Sequence, residues 1–186
     1  MNITITPLTT EAAMRRACDM TRKPGMVPSK MTLSRIYQCE HSPARLIRYW
    51  VELRGIPTFV SVHLVRHKLG VEHFVESNRD DRGGAGDAVV TRETPVNHGM
   101  DINAAAVIAI SRKRLCYASH VRTVAVWRKL RSAMVQVDPA LADAMAPECA
   151  FRGYCPELRE CKPGLARVLR AYRDSQPVVL RDRVVV

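Results

Sequence analysis

The chain has 186 residues and a mass of 20.9 kDa with 47% hydrophobic side chains, enough for one substantial core, and 29 Lys and Arg against 18 Asp and Glu give a formal charge of +11. No apolar stretch approaches the roughly 18 uncharged residues that a membrane-spanning helix requires, and the N-terminal MNITITPLTTEAAMRRACDM lacks a signal peptide's basic start and apolar centre. A soluble, cytoplasmic chain forming one domain over 1–186 is expected. Its charge attracts nucleotides, phosphorylated cofactors or nucleic acid without choosing among them, and because the cations are spread along the sequence, nucleic acid is not the expected partner.

From the N-terminus, NITIT alternates as a short strand does, and Thr9 or Thr10 is placed to cap a helix through TEAAMRRACDMTR that KPG stops. After the turn-rich KPGMVPSK, a second helix is expected from Thr32 to Cys39. HSPARLIRYWVEL fits either another helical turn or the strand that follows it. Gly55 and Pro57 then punctuate a segment in which Phe59, Val60, Val62, Leu64 and Val65 are too densely apolar for a surface strand. A buried element, strand or helix, therefore delivers Arg66, His67 and Lys68 to its end. The Gly-rich DDRGGAGD, Asp80 to Asp87, reads as a loop and has no dinucleotide fingerprint. The longest helical stretch is expected at about 101–137, with Asp101 as N-cap and Asn103, Val107, Ile110, Arg114 and Val121 near one face. PGLARVLRAYR suggests a last short helix before PVVLRDRVVV, a tail of strand-like composition.

Arg66 follows a buried run, so its guanidinium needs an anionic ligand, a carbonyl, an ion pair with Glu72, Glu76 or Asp80, or a place at the water boundary. His67 stands between two cations that depress its pKa, which favours a neutral donor and acceptor over a proton shuttle. Ser77, Asn78 and Arg79 form a polar cluster able to hold a phosphate or a pyrimidine edge, or simply a capped turn. Of three consecutive cations, Arg112 and Lys113 are expected in solvent and Arg114 in the interior or a cleft. Cys149, Cys155 and Cys161 form a C-x5-C-x5-C run, too widely spaced for the usual zinc pairing, and a compact loop with packed thiols and no metal is expected. The absence of a Ser/His/Asp order, an H-E-x-x-H helix and a Walker loop leaves hydrolases and NTP-driven enzymes without support.

Three segments in order resemble the flavin-dependent thymidylate synthase family over roughly residues 30 to 160. RHKLGVEHFVESNRD is similar to the family's R-H-R signature and the S-x-R that follows it, giving Arg66, His67 and Lys68, then Ser77, Asn78 and Arg79. HSPARLIRYWVELRGIPTFVSVHLVRHK resembles the stretch leading from a flavin-region histidine, here His41, into that signature. INAAAVIAISRKRLCYASHVRTVAVWRKL resembles the long helix, with Asn103 and Arg114 where the family has a flavin-contacting amide and a nucleotide-binding arginine. The resemblance implies an α+β fold with an antiparallel sheet packed by helices, and a homotetramer binding FAD between subunits. It further implies one-carbon transfer from methylenetetrahydrofolate to C5 of the pyrimidine deoxynucleotide dUMP, with NADPH reducing the flavin. His41, Arg66, His67, Lys68 and Asn103 would surround FAD, Ser77, Asn78, Arg79 and Arg114 would hold the nucleotide, and Arg114 would act in catalysis. Lys68, Val71, Asp80, His63 and Ala118 depart from the family pattern, and the connection from Arg79 to Asn103 is short. A related C5 modification, as of dCMP, and a non-catalytic scaffold binding nucleotide or nucleic acid are the alternatives.

Overall fold

Period-two burial, rather than strand propensity alone, marks the sheet. The computed structural model describes residues 1–25, 31–77, 81, 89–161 and 164–173. Within them β1 (Asn2–Pro7), β2 (Arg48–Pro57), β3 (Val71–Val75) and β4 (Pro95–Asn103) form an antiparallel sheet in the order β1-β2-β4-β3. Tyr49, Val51 and Leu53 on β2, and Val96, His98, Met100 and Ile102 on β4, point to the covered face. Beyond Leu53 the register of β2 slips by a bulge at Gly55, whose φ of +69° suits glycine, and Ile56 returns to the core.

Helices α1 (Glu11–Met20), α2 (Leu33–Gln38), α3 (Thr58–Val65), α4 (Ala104–Arg114), α5 (Val121–Val137), α6 (Pro139–Ala144), α7 (Glu148–Arg152) and α8 (Gly164–Arg173) complete the described structure, with a 3₁₀ turn at Ser42–Leu46 before β2. The expected α+β class with an antiparallel sheet is the fold observed. Thr10 and Thr32 are the N-cap residues of α1 and α2, and the Thr32 hydroxyl accepts from the Arg35 amide. Both readings of HSPARLIRYWVEL hold in sequence, first a helical turn and then a strand. The apolar segment after Gly55 is likewise the end of β2 followed by α3. The tail PVVLRDRVVV lies outside the described residues.

The single helix expected at 101–137 is instead the end of β4 and two helices. Asp101 is a strand residue ion-paired to Arg48, and Asn103 caps α4, its Oδ1 accepting from the Ala106 amide at 2.9 Å. The break after Arg114 needs neither Gly nor Pro. Ser119 Oγ donates to the Lys113 carbonyl at 2.6 Å, and His120 Nδ1 accepts from the Arg122 amide to start α5, so local polar groups compete with the helix ladder. Trp127 of α5, fully buried, donates through Nε1 to Ser111 Oγ at 2.8 Å and fastens the two helices together.

A buried carboxylate joins the more distant parts. Tyr37 of α2 and Tyr49 of β2 both donate to Asp138 Oδ2, at 2.8 and 2.6 Å, while Asp138 Oδ1 caps α6 at the Leu141 amide. Burial and the adjacent carboxylate push both phenols above the usual tyrosine range, so they stay protonated donors. Asp138→Ala removes a helix cap and orphans two buried hydroxyls, which predicts a loss of roughly 3 kcal/mol in urea unfolding. A loss below about 1 kcal/mol would show that the hydroxyls find other partners.

Candidate functional site

The signature segment begins where α3 stops. Arg66 is the C-cap of α3, and the His67 amide donates to the Leu64 carbonyl at 3.0 Å. The chain then turns at Gly70 (φ +75°) into β3. A Cβ on Gly70 would lie 2.5 Å from Asn103 Nδ2, and the Asn103 amide donates to the Gly70 carbonyl, so only glycine fits between the turn and the start of α4. The turn is thereby registered against the helix that carries Arg114.

At the other end of α4, Arg114 reaches back to the same turn. Its Nε donates to His67 Nε2 at 2.9 Å and one terminal nitrogen donates to the His63 carbonyl at 2.8 Å. Arginine has no acceptor, so His67 receives through Nε2 and carries its proton on Nδ1. Burial, then Arg114, His73 and Arg66, push the His67 pKa down to about 4. The lowered pKa and the Arg114 contact both agree with the expected neutral imidazole, with its proton on Nδ1. Burial and neighbouring Arg66 push Arg114 below the ordinary arginine value.

Among the described residues, Arg66, Lys68 and Arg114 make no ion pair with a carboxylate, and Arg66 and Lys68 are exposed. The expected alternative partners Glu72 and Glu76 do not take Arg66; Glu76 instead accepts from the Asn97 amide, and Asp80 lies outside the described residues. A cleft of about 230 Å³ opens beside this cluster, lined by His67, Lys113, Arg114, Cys116, Ser119 and Glu157 among others. Lys113 pairs with Glu157 across it at 3.2 Å. The result is a pocket with cationic charge in excess, suited to an anion.

The remaining expected site residues fall in different places. Ser77 follows β3, on the same segment, whereas Asn78 and Arg79 lie outside the described residues. His41 is exposed at the start of the 3₁₀ turn. Asn103 spends its side-chain oxygen on the cap of α4. Arg112 corrects the expectation of a solvated side chain: only 17% exposed, it sits between Glu40 and Glu148 and over the Phe151 ring, because α4 packs against the segment carrying Glu148. Lys113 is exposed apart from Glu157, as expected.

Three residues that the sequence reading passed over, Ser61, His73 and His98, form a hydrogen-bonded line behind His67. Their signal was the period-two alternation of 71–75 and 95–103, which turns both histidines to the covered face. The cysteine run also gains a member that spacing could not supply, since Cys116 joins Cys149, Cys155 and Cys161 around one small cavity. Burial pushes the Cys149 thiol up to about 11 and raises Cys116 as well, as in packed thiols. Among the described residues no three His, Cys, Asp or Glu side chains are arranged to hold a metal ion, and no helix is long and apolar enough to cross a membrane.

No family model and no curated protein matches the chain. Solved structures do. The flavin-dependent thymidylate synthase ThyX of Helicobacter pylori, complexed with FAD and dUMP, aligns over 78% of this chain and 99% of its own with a TM-score of 0.58 and 12% identity. The UMP/dUMP methylase PolB of Streptomyces cacaoi, bound with 5-Br dUMP, aligns over 82% of this chain and 96% of its own with a TM-score of 0.55 and 13% identity. The chain thus has the fold of the flavin-dependent thymidylate synthases, with identity too low to carry residue roles across.

Buried His98 and half-buried His67 make the fold sensitive to acid. His67 and His98 both titrate near 4 in the folded chain against an ordinary 6.5. The unfolded chain binds these protons first, so their contribution is full above about pH 6.5 and is lost as pH falls toward 4. Thermal unfolding should show Tm falling over that window, less steeply in His67→Gln. A Tm independent of pH there would contradict neutral imidazoles at these positions.

Proposed function

We propose that this chain is an FAD-dependent enzyme that transfers a one-carbon unit from methylenetetrahydrofolate to C5 of dUMP, working as a cytoplasmic homotetramer of single-domain subunits with NADPH as the source of reducing equivalents. The observation that carries this reading is a cleft lined by Arg114 with no carboxylate paired to it among the described residues, next to the turn on which Arg66 and Lys68 are exposed. A fold shared with proteins solved with dUMP and with 5-Br dUMP supports the substrate class.

The donor chemistry fits both ligands. Exposed Arg66 and Lys68 suit the diphosphate of FAD, with His67, Asn103 and His41 as further cofactor contacts; His41, exposed on the 3₁₀ turn, fits a site completed by a second subunit. FAD, when bound, supplies the reducing equivalents of the transfer. Ser77, with Asn78 and Arg79, would hold the nucleotide phosphate and pyrimidine edge. Arg114 spends two of its five N–H donors on His67 and His63, which fixes the guanidinium while leaving donors for a pyrimidine carbonyl. Negative charge developing on the base during attack through C5 would be met there by a fixed cation that needs no reorganisation. His67 would add one donor, its Nδ1–H, and exchange no proton. No nucleophilic side chain is required, since the protein positions two ligands and stabilises charge.

Purified protein should show flavin absorption between 350 and 500 nm, or gain it on adding FAD; a colourless protein that binds no FAD would leave the scaffold reading standing. Tritium release from C5-labelled dUMP, UMP and dCMP, run in parallel, should select dUMP. Arg114→Ala should retain FAD while weakening dUMP binding by roughly 10- to 100-fold, the loss expected for a charged hydrogen bond. Unchanged dUMP affinity removes Arg114 from its role.

A further inference from the structure

Behind the cleft, Ser61, His98 and His73 form a line of hydrogen bonds that ends on the turn carrying the binding residues. Ser61 of α3 and His98 of β4 are 3% and 1% exposed, so neither can rely on water. Ser61 Oγ lies 2.9 Å from His98 Nδ1, His98 Nε2 lies 2.9 Å from His73 Nδ1, and His73 Nε2 lies 2.7 Å from the His67 carbonyl. The last bond has one possible sense. A carbonyl only accepts, so His73 must carry a proton on Nε2. With His73 neutral, its Nδ1 accepts, His98 donates through Nε2, and the Ser61 hydroxyl donates to His98 Nδ1. Every donor and acceptor in the line is then matched. The tautomer of each ring is dictated from the far end.

We propose that Ser61, His98 and His73 act as a positioning relay for the candidate nucleotide site, holding the His67 carbonyl so that the His67 ring keeps Arg114 aimed at the cleft. Three features converge on this role. The residues come from α3, β4 and β3, so the relay ties the turn to elements on both of its sides. His73 lies opposite Met100 in the β3–β4 ladder, which fixes its ring over the sheet's covered face. His67 is then gripped twice, its carbonyl by His73 and its ring by Arg114, which in turn holds the His63 carbonyl one turn earlier on α3. Loss of the first grip frees the turn to rotate and the guanidinium to follow. None of the three relay residues lines the 230 Å³ cleft, so they act through His67 and Arg114 rather than on a ligand.

The relay is a statement about side-chain order, and its consequence for dUMP rests on the proposed function, so the test has two readouts. In ¹⁵N-labelled full-length protein at pH 7.5, imidazole ¹H–¹⁵N correlations should show His73 and His98 as neutral Nε2–H tautomers and His67 as the Nδ1–H tautomer. His73→Leu should release the His67 ring into tautomer exchange and weaken dUMP binding by roughly five- to tenfold. His73→Gln, whose amide can still donate to the His67 carbonyl, should restore both. Should His73→Leu fail to fold, His73→Phe, closer to the imidazole in shape and equally without a donor, gives the same reading. A His67 ring that keeps its tautomer in His73→Leu, with dUMP affinity intact, overturns the proposal, as do wild-type His73 and His98 in other tautomers. Failure of the wild-type protein to bind dUMP would strike the functional reading alone, because the imidazole spectra still decide the relay.

Discussion

Arg114 imposes the constraint on which the site depends: a half-buried guanidinium that satisfies itself with an imidazole nitrogen and a main-chain carbonyl instead of a carboxylate. A buried cation ordinarily recovers its lost hydration from an acid, and the charge is then spent. Here the geometry is held and the charge is not. Its neighbours on α4 make the contrast plain. Arg112 is neutralised by Glu40 and Glu148, and Lys113 by Glu157, yet the third cation in the row, with Arg66 close enough to depress its pKa, has no carboxylate paired to it among the described residues. The fold pairs both neighbours and leaves this position cationic, which is the feature that the proposed recognition of a nucleotide uses.

The scaffold is organised to bring two distant points of the chain to that arrangement. Asn103 starts α4 against the Gly70 turn, and Arg114 ends α4 against His67 and His63, so one helix is pinned at both ends to the signature segment. The last turn of α4 also carries its cations where the helix dipole favours them. Behind this, Tyr37 and Tyr49 converge on Asp138, and Trp127 grips Ser111, which fixes the helices that cover the sheet. Rigidity in the scaffold is what makes an uncompensated charge tolerable, since a floppy guanidinium would turn to solvent.

Local signals carried the fold only where they ran with the tertiary structure. The strand at the N-terminus, the Thr-capped helices, and the apolar run delivering Arg66 to Lys68 were legible because alternation, caps and Pro or Gly punctuation agree there. The join at 101–103 was not. Residues 95–103 alternate, but Asn97, His98 and Gly99 dilute the apolar signal, and the alanines from Ala104 onward extend a helical reading backward across the boundary. The break at Leu115–His120 was equally hidden, because Ser119 and His120 end and restart a helix through side-chain bonds that propensity does not register. At the site, the cationic signature and Arg114 could be picked out by type and spacing. Arg112 could not be told from Lys113, since burial beside Glu148 depends on a contact between segments far apart in sequence. His73 and His98 looked like isolated polar residues, and only the pairing of β3 with β4 makes them neighbours.

The central claim is that the cationic field of a cleft whose Arg114 charge is left unspent favours an anionic nucleotide over a neutral nucleoside, although Arg114 itself would face the base, and calorimetric titration of the FAD-supplemented protein with dUMP and with deoxyuridine tests it most directly. The account predicts that removing the 5′-phosphate weakens binding by roughly a hundredfold, with added salt eroding the difference. Equal affinity for the two, insensitive to salt, would contradict it.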